Sequence, residues 1–386
     1  MNSKKWIKIV LILAVLFVGL VGSFNYIIDP YGLYNTKYFI FDKIKQSDKM
    51  RLIKVIKIKE IKPISICLGT SRTESGYDPI HRYFIKPSYN LATSGSSMYE
   101  NRLNFQYALK QGKLKKVLLV ADYRMFSNKT QQKIKEFKTY FYNQNKFKYL
   151  FSVSTLKDSL LTIKGTNNPI TLYYENGQRY HNYSQGNIDK EGGHLKSFKI
   201  NEEKYYKDYP TNYTYKDTKK KSFPDFEEIV KLCYENNIEL DIIFGPSHIR
   251  QWEALNYYLG YDKWLQWKKD VVLSVNKIAK YQNKKQFRIM DFSVYHKLTA
   301  EKVPTDKNTK MKYHWESSHY KNELGLIVLD RLVGDSEFTD FGVELNLENI
   351  DEHLKQQEIN RLKFIDVEKY QIEVFGETKS MKGGKE

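Results

Sequence analysis

The sequence predicts an α/β fold with a mostly parallel sheet, joined to one membrane-spanning helix at the N-terminus. Two observations carry this prediction. Short apolar runs alternate along the chain with longer helical patterns, and one long apolar stretch lies at the start of the chain. Strands that alternate with helices form parallel sheets covered on both faces. With 386 residues, 41% of them hydrophobic, the chain can bury a substantial core.

The N-terminal apolar stretch runs from Trp6 to Ile28 and carries no charge between Ile9 and Val21. This is about the length that crosses a bilayer as a helix. Lys4, Lys5 and Lys8 flank its start, and positive charge stays on the cytoplasmic side, so the main domain is expected outside the cytoplasm. A cleaved signal peptide is the alternative. No clear small-x-small cleavage site follows, which favours an uncleaved, single-pass anchor in the cell membrane.

The rest of the chain predicts one large extracytoplasmic domain with an insertion. Residues 1–28 form a cytoplasmic stub and anchor, 29–62 a juxtamembrane segment, 63–340 the domain, and 341–386 a C-terminal helix with a disordered tail beyond residue 379. Residues 127–222 interrupt the alternation and are predicted to be an inserted subdomain or long loops over the site. Residues 45–62 predict a basic amphipathic helix that is either solvated or at the membrane surface.

Periodicity predicts the individual elements. Strands are predicted at 64–68, 116–121, 239–244 and 287–291, with a further one at 170–174 in the insertion. Helices are predicted at 99–111, 225–235, 264–281 and 324–332, with a further one at 149–164 in the insertion. Ser71, Asp122 and His248 come just after predicted strands, where the sites of parallel sheets form.

The formal net charge of +18 favours an anionic partner, such as a membrane surface, an envelope polymer or nucleic acid. Translocation of the domain argues against nucleic acid. The remaining partners are membrane lipid headgroups and an envelope polysaccharide or other wall polymer.

The turn Gly69-Thr70-Ser71-Arg72 follows the first predicted strand of the domain. A serine in a tight strand-to-helix turn is exposed, and nearby backbone N–H groups can stabilise an oxyanion. The turn is not the G-x-S-x-G elbow of α/β-hydrolases, because position 73 is Thr. Ser71 is therefore a candidate nucleophile of another type.

Glu316 and His319 provide a candidate base and its orienting acid far downstream. A serine hydroxyl needs a base to remove its proton, and an acid can hold the imidazole in the right tautomer. The three-residue spacing lets Glu316 do this for His319. His314 is a competing base without an acid at that spacing.

Three further side chains are possible substrate contacts, each with a structural alternative. Arg72 could hold an anionic group or form an internal salt bridge. His248 could face the cleft or be a hydrogen-bonded loop residue. Trp315, beside the E-x-x-H, could stack on a sugar or pack in the core.

Several of these segments form a recognisable series. They are Asp29-Pro30-Tyr31-Gly32 after the anchor, Leu68 to Arg72, Tyr89 to Gly95, Asp122 to Phe126, and Glu316 to Tyr320 with Gly325. Together they resemble the SGNH/GDSL hydrolase superfamily over most of residues 25–335. More narrowly, the chain resembles the membrane-anchored SGNH-like proteins of bacterial envelope polymer acylation. These include the alginate and cellulose O-acetylation proteins and the D-alanyl transfer protein of teichoic-acid modification.

The resemblance implies an SGNH-like, flavodoxin-like three-layer sandwich. It implies an acyl transferase or acylesterase that modifies an envelope polysaccharide, with acetyl as the expected acyl group. Ser71 would be the nucleophile and His319 the base, and the N–H groups of Ser71 and Gly95 would form the oxyanion hole. No metal or organic cofactor is expected. A multi-pass membrane O-acyltransferase is the implied protein partner.

Two departures from the family pattern keep a second hypothesis open. The family acid is usually Asp, whereas this chain has Glu316, and the third-block Asn has no clear match near Asp122 and Arg124. Losing one oxyanion donor typically costs on the order of 10² to 10³ in rate. The alternative is a non-catalytic binding or assembly protein for an anionic envelope polymer. A secreted esterase is a third possibility, disfavoured by the uncleaved anchor.

Overall fold

The computed structural model describes residues 3–36, 49–142, 145–165, 173–205 and 212–375. The chain divides into two compact units. Met1–Lys57 and Lys135–Tyr174 form the first, which we call the N-terminal unit, and Ile58–Ile134 and Glu175–Glu386 form the second, the α/β unit. The predicted insertion is therefore shared, because its middle part belongs to the N-terminal unit and its two ends to the α/β unit.

The α/β unit contains a six-stranded sheet within the described residues. Its strands are β1 Ser65–Leu68, β2 Ser88–Asn90, β3 Lys116–Ala121, β4 Glu239–Phe244, β5 Arg288–Asp291 and β6 Val343–Glu344. The order is β2-β1-β3-β4-β5-β6. Strands β1 to β5 are parallel, and β6 is antiparallel to β5. The predicted α/β class with a mostly parallel sheet is confirmed.

Sixteen helices are formed by the described residues. They are α1 Ser3–Ile28, α2 Met50–Ile61, α3 Ser71–Gly76, α4 Met98–Leu109, α5 Tyr123–Phe126, α6 Ile134–Tyr142, α7 Phe147–Leu150, α8 Val153–Gly165, α9 His181–Glu191, α10 His194–Tyr205, α11 Phe223–Glu235, α12 Ile249–Leu259, α13 Tyr261–Tyr281, α14 Asn322–Val333, α15 Ile350–Phe364 and α16 Val367–Phe375.

The sheet is buried on both faces, which explains its continuous apolar strands. Successive side chains of β3 point to opposite faces. Val117 and Leu119 lie in a core with residues of α4, α11 and α13. Leu118 and Val120 lie in a second core with residues of α14. Helices therefore cover the sheet on both sides.

The strand order creates the place for a site. The chain passes from β1 to β2 on one side and then to β3 on the other side of β1. This reversal leaves a crevice outside the carboxyl ends of β1 and β3, where open α/β sheets bind ligands. The residues after β1 and β3 include Ser71 and Asp122.

The predicted bounds hold best for the most apolar elements. β3 and β4 have the predicted bounds, and β1 and β5 each begin one residue later than predicted. Helix α11 begins two residues earlier than predicted and α13 three residues earlier. Among the elements that were not predicted are the short strands β2 and β6 and the helices α9, α10 and α12.

The N-terminal unit holds the long apolar helix and part of the insertion. Helix α1 is long and apolar enough to cross a membrane. Residues 45–48 of the predicted amphipathic helix lie outside the described residues. Its remainder, α2, is neither solvated nor membrane-facing as predicted, because most of it is buried, including Lys54 beside the Tyr173 ring. Helices α7 and α8 replace the single helix predicted at 149–164. The tail beyond residue 379, and residues 170–172 of the predicted strand, lie outside the described residues.

Candidate active site

Ser71 is the first residue of α3, directly after the turn that ends β1. Gly69 has a positive φ of 154°, and a side chain there would overlap the Thr73 hydroxyl. Its N–H donates to Asn101 Oδ1 at 2.8 Å, and its carbonyl accepts from the Ser96 hydroxyl at 2.7 Å. The turn is therefore fixed by neighbouring segments, and it holds Ser71 half-buried at the sheet edge.

The residues around His319 form a small hairpin. His314 and Tyr320 are joined by an antiparallel bridge, and the Trp315 N–H donates to the His319 carbonyl at 2.9 Å. Glu316 lies within this hairpin. Its carboxylate accepts from the Ser318 N–H at 2.8 Å and from the His319 N–H at 3.0 Å. Local backbone bonds thus fix the acid beside the imidazole.

The structure brings the three predicted catalytic residues together. Ser71 Oγ and His319 Nε2 are 2.7 Å apart. His319 Nδ1 is hydrogen-bonded to Glu316 Oε1. A carboxylate can only accept, so Nδ1 carries the proton and Nε2 is free to accept from the serine hydroxyl. This is the arrangement in which a serine hydroxyl is activated as a nucleophile.

The charge state of Glu316 suits the orienting role. Burial would raise the pKa of this carboxyl. The nearby His319 and the hydrogen bonds from Ser318 outweigh burial and lower the pKa to about 2. Glu316 is therefore an ionised acceptor throughout the ordinary pH range. The longer side chain, compared with the Asp that the family pattern predicts, still reaches Nδ1.

Arg72 and Asp122 link the serine turn to the histidine hairpin. Asp122 is ion-paired with Arg72 and accepts from the Thr70 hydroxyl at 2.7 Å. Arg72 Nε donates to the Ser318 carbonyl at 3.0 Å. Arg72 is only 5% exposed. The structure therefore gives Arg72 the internal salt bridge rather than an open position for a substrate.

His248 is also placed inside the fold. It is buried, its Nε2 lies 2.7 Å from the Glu301 carbonyl, and its N–H donates to the Ser317 carbonyl at 3.0 Å. Burial, together with the neighbouring His314, lowers the pKa of His248 well below its ordinary value. His248 therefore supports the hairpin, and its geometry does not favour the predicted substrate contact.

His314 and Trp315 are buried as well. His314 has no exposed surface, and its Nδ1 lies 3.1 Å from Glu301 Oε2. His314 thus has an acid partner that sequence spacing did not reveal, but the base next to Ser71 is His319. Trp315 lies under Lys321, whose Nζ is 4.2 Å from the ring centroid. This geometry favours the packing alternative for Trp315 over sugar stacking.

Two backbone N–H groups predicted to form an oxyanion hole have no acceptor among the described residues. The loop that contains Gly95 lies against the serine turn, where the Thr93 N–H donates to the Gly69 carbonyl at 3.3 Å. Gly95 is exposed. Among the described residues, no group accepts a hydrogen bond from the N–H of Ser71 or of Gly95. Both donors therefore remain free for a developing negative charge.

Asp122, one of the two positions considered from sequence, supplies no third donor of the family type. The carboxylate of Asp122 can only accept and is already engaged. The amide of Asn101 donates to Ser96 Oγ at 3.0 Å and to the Ser97 carbonyl at 2.9 Å. The proposed oxyanion hole thus rests on two backbone donors in the described residues.

Sequence reasoning missed two supporting residues, Ser318 and Ser247. The Ser318 hydroxyl lies 2.9 Å from Glu316 Oε1 and 2.8 Å from His319 Nδ1. Ser247 donates to the Ser318 carbonyl at 2.8 Å. A serine next to a predicted triad residue is the only sequence signal for Ser318. No sequence signal points to Ser247, since its partner, the Ser318 carbonyl, is 71 residues away.

Two glycines set the distance between the two halves of the site. Helix α3 begins with Ser71, and α14 begins shortly after His319. A Cβ at Gly325 in α14 would overlap the Gly76 carbonyl at the end of α3, and a Cβ at Gly76 would overlap the Tyr320 ring. The two helices therefore touch through their backbones.

Comparison with known proteins does not assign this site to a family. The SGNH resemblance stays a prediction, and so do the catalytic roles of the three residues. The geometry of the site is the basis for the function proposed below. No protein-family model matches the chain, and no curated protein shows significant similarity to it.

Proposed function

We propose that this chain is a serine-dependent acyl transferase or acylesterase with Ser71 as nucleophile, His319 as base and Glu316 as orienting acid. The observation that carries the proposal is the 2.7 Å contact between Ser71 Oγ and His319 Nε2, with Glu316 on the opposite ring nitrogen. These residues come from segments 248 positions apart. A chance surface contact would not also include a buried, ionised acid.

The proposed chemistry has two halves. Ser71 Oγ attacks the acyl carbonyl carbon while its proton passes to His319 Nε2, and the N–H groups of Ser71 and Gly95 stabilise the oxyanion. When the tetrahedral intermediate collapses, His319 returns the proton to the departing alcohol, leaving the acyl group on Ser71. A sugar hydroxyl or water then attacks the acyl-enzyme while its proton passes to His319, and His319 returns that proton to Ser71 Oγ as the bond between Ser71 and the acyl carbon breaks. Transfer yields a new ester, and hydrolysis yields a carboxylic acid.

An SGNH-like identity is part of the proposal. Three features support it: a nucleophile directly after β1, a glycine in the loop after β2, and an acid and base shortly before α14. The parallel strand order 2-1-3-4-5 matches the flavodoxin-like arrangement expected for that superfamily. Glu in place of Asp, and the missing third-block Asn, are the differences.

We further propose that α1 anchors the chain and that the α/β unit lies outside the cytoplasm. The length and apolar character of α1 and the lysines at its start support this topology. The net charge of +18 fits an anionic envelope polymer as the acceptor. A multi-pass membrane O-acyltransferase that supplies the acyl group follows from the family resemblance alone.

The second candidate function is non-catalytic binding of an anionic polymer. The observation in its favour is the two-donor oxyanion hole, in which Asn101 and Asp122 are already engaged. Such a protein would keep its polymer affinity after loss of Ser71. An acyl transferase would instead form a trapped acyl-enzyme with an activated ester.

The test is fluorophosphonate labelling of the full chain in detergent, read by intact mass. We expect a single adduct on the wild type that Ser71→Ala and His319→Ala both lose. Ser75→Ala, in the same helix α3, is the matched control and should label like the wild type. Absence of any adduct on folded wild type would contradict the enzyme proposal and put polymer binding ahead.

A further inference from the structure

Helix α8 in the N-terminal unit buries polar side chains and exposes apolar ones. Its buried residues are Thr155, Ser159 and Thr162, each 1% exposed or less. Val153 and Leu160, by contrast, are 77% and 50% exposed. Water-soluble helices show the opposite arrangement. The exposed side of α8 is therefore suited to an apolar surrounding.

Four apolar residues of α8, three of them exposed and Leu156 half-buried, form one stripe, and Leu161 is exposed beside it. Val153, Leu156, Leu160 and Ile163 follow one another at spacings of three and four residues, which places them along one side of a helix. The neighbouring segment extends the surface with Phe147 and Phe151, which are 70% and 53% exposed. An exposed apolar surface of this kind marks an interaction site.

The polar side of α8 is used to attach it to the end of α1. The Ser159 hydroxyl donates to Asn25 Oδ1 at 3.0 Å, and Asn25 Nδ2 donates to the Leu150 carbonyl at 2.7 Å. The Tyr31 hydroxyl donates to Asp158 at 2.6 Å. Hydroxyl and amide bonds between close-packed helices are typical of helix contacts inside membranes.

The attachment fixes the depth of the segment relative to α1. The apolar stretch Trp6–Ile28 is about 33 Å long at 1.5 Å per residue, which matches a bilayer core. Phe151 packs on Gly22, six residues before the end of α1, so it lies roughly 9 Å inside that end. Helix α8 itself is about 20 Å long and too short to cross a bilayer.

The lysines near the apolar stripe and the shape of a neighbouring groove also fit an apolar, lipid surrounding. The exposed Lys157 and Lys164 follow Val153 and Leu160 by four residues and so lie on the same side of α8, where they can reach anionic headgroups while their stems stay in apolar surroundings. A groove of about 610 Å³ between Gly19, Ser23 and Phe151 is lined mainly by apolar atoms. A lipid acyl chain has the form and polarity to fill it.

We propose that residues 145–165 form an interfacial element that inserts its apolar stripe into the outer leaflet beside α1, with lipid as its partner. This inference rests on the proposed membrane anchoring by α1 and is independent of the proposed acyl chemistry. It gives the predicted insertion a second role, because this part of it contacts the bilayer rather than covering the site.

The experiment uses the full chain in proteoliposomes of phosphatidylcholine with phosphatidylglycerol. A nitroxide is placed on a cysteine introduced at Val153 or at Leu160, while the native Cys67 and Cys233 are buried. Power saturation then compares collisions with oxygen, which concentrates in lipid, and with a water-soluble nickel chelate. Leu362, which is 67% exposed in α15 of the α/β unit, is the matched control.

We expect the oxygen-to-nickel ratio at Val153 and Leu160 to be several-fold higher than at Leu362, and close to that of a reference label at Val15 in α1. Ratios at Val153 and Leu160 equal to that at Leu362, with Val15 in lipid, would overturn the inference. Spin–spin broadening between labels of two chains would overturn it in favour of a second copy as the occupant. If the label at Val15 were exposed to water, the proposed membrane anchoring by α1 would be wrong. This outcome is independent of whether Ser71 reacts with the fluorophosphonate.

Discussion

Helices α8 and α11 have the same length, 13 residues, but opposite organisation. Helix α11 in the α/β unit buries Phe226 and Ile229 and exposes Lys231. Helix α8 buries Ser159 and exposes Leu160. The hydrophobic pattern of a helix therefore indicates which side faces apolar material, but not whether that material is the protein core or a membrane. Contacts of the polar side decide between the two.

The largest expected effect tests whether the proposed acyl chemistry depends only on residues of the α/β unit. Glu316→Gln removes the negative charge beside His319 and can place an amide N–H next to Nδ1, which favours the wrong imidazole tautomer. It should lower the fluorophosphonate labelling rate about 10³- to 10⁴-fold, as loss of the orienting acid does in serine proteases. Labelling kinetics of the full chain measure this.

Two variants serve as controls for that effect. Glu301→Gln changes the acid beside His314 and should leave the rate within a few-fold of the wild type. Val153→Ser in α8 should leave it unchanged. If Glu301→Gln were as slow as Glu316→Gln, the assignment of His319 as the base would be wrong.

The next prediction compares how much a buried side chain of α11 and an exposed side chain of α8 contribute to stability. Ile229→Ala creates a cavity in the core and should destabilise the α/β unit by about 2–5 kcal/mol. Leu160→Ala removes a side chain that contacts no core and should change stability by less than ~0.5 kcal/mol. Thermal unfolding of the full chain in one detergent compares the pair. Equal losses would mean that Leu160 is packed against protein.

A smaller effect is expected at the polar contact between α8 and α1. Ser159→Ala removes one hydroxyl bond to the buried Asn25 and should weaken the attachment by about 1 kcal/mol. Increased nitroxide mobility at position 153 would report it. Ser154→Ala on the exposed side of α8 is the control. An unchanged spectrum in Ser159→Ala would argue against a role for this bond in holding α8.

The smallest effect concerns pH. Glu316 has a pKa of about 2, so only ~1% of it is protonated at pH 4, whereas about two thirds of an ordinary glutamate is. A lowered folded-state pKa stabilises the fold above the unfolded-state value and loses this contribution as pH falls toward 2. Carboxyl infrared difference spectra against Glu316→Gln measure the ionisation. A protonated signal appearing near pH 4 would contradict the geometry around this acid.

Much of the sheet could be predicted, because β3 is a continuous apolar run from Val117 to Ala121 and β4 has apolar residues at four of its six positions. The strands β2 and β6 have three and two residues and carry no periodic signal, so only pairing with a neighbour makes them strands. The inverted orientation of α8 was also unpredictable, since it depends on Asn25 at the end of a distant helix.

At the site, too, local sequence could not predict contacts with distant segments. Ser71, Glu316 and His319 were predicted because each stands in a distinctive local motif, and the structure places them in contact. His248 follows a strand end, as Ser71 does, yet it is buried by the Ser317 and Glu301 segments. Position after a strand locates a residue at the sheet edge but does not determine whether its side chain is open.

The backbone contact between Gly76 and Gly325 has a consequence for how related sequences should be interpreted. A methyl group added at Gly325 would meet the Gly76 backbone, and one added at Gly76 would meet the fully buried Tyr320 ring, so neither position has room for it. Such a change would separate the serine and histidine segments while every triad residue stays in the sequence. A homologue with an intact triad and a larger residue at either glycine is therefore expected to have lost the reaction, and these two positions would identify it before any assay.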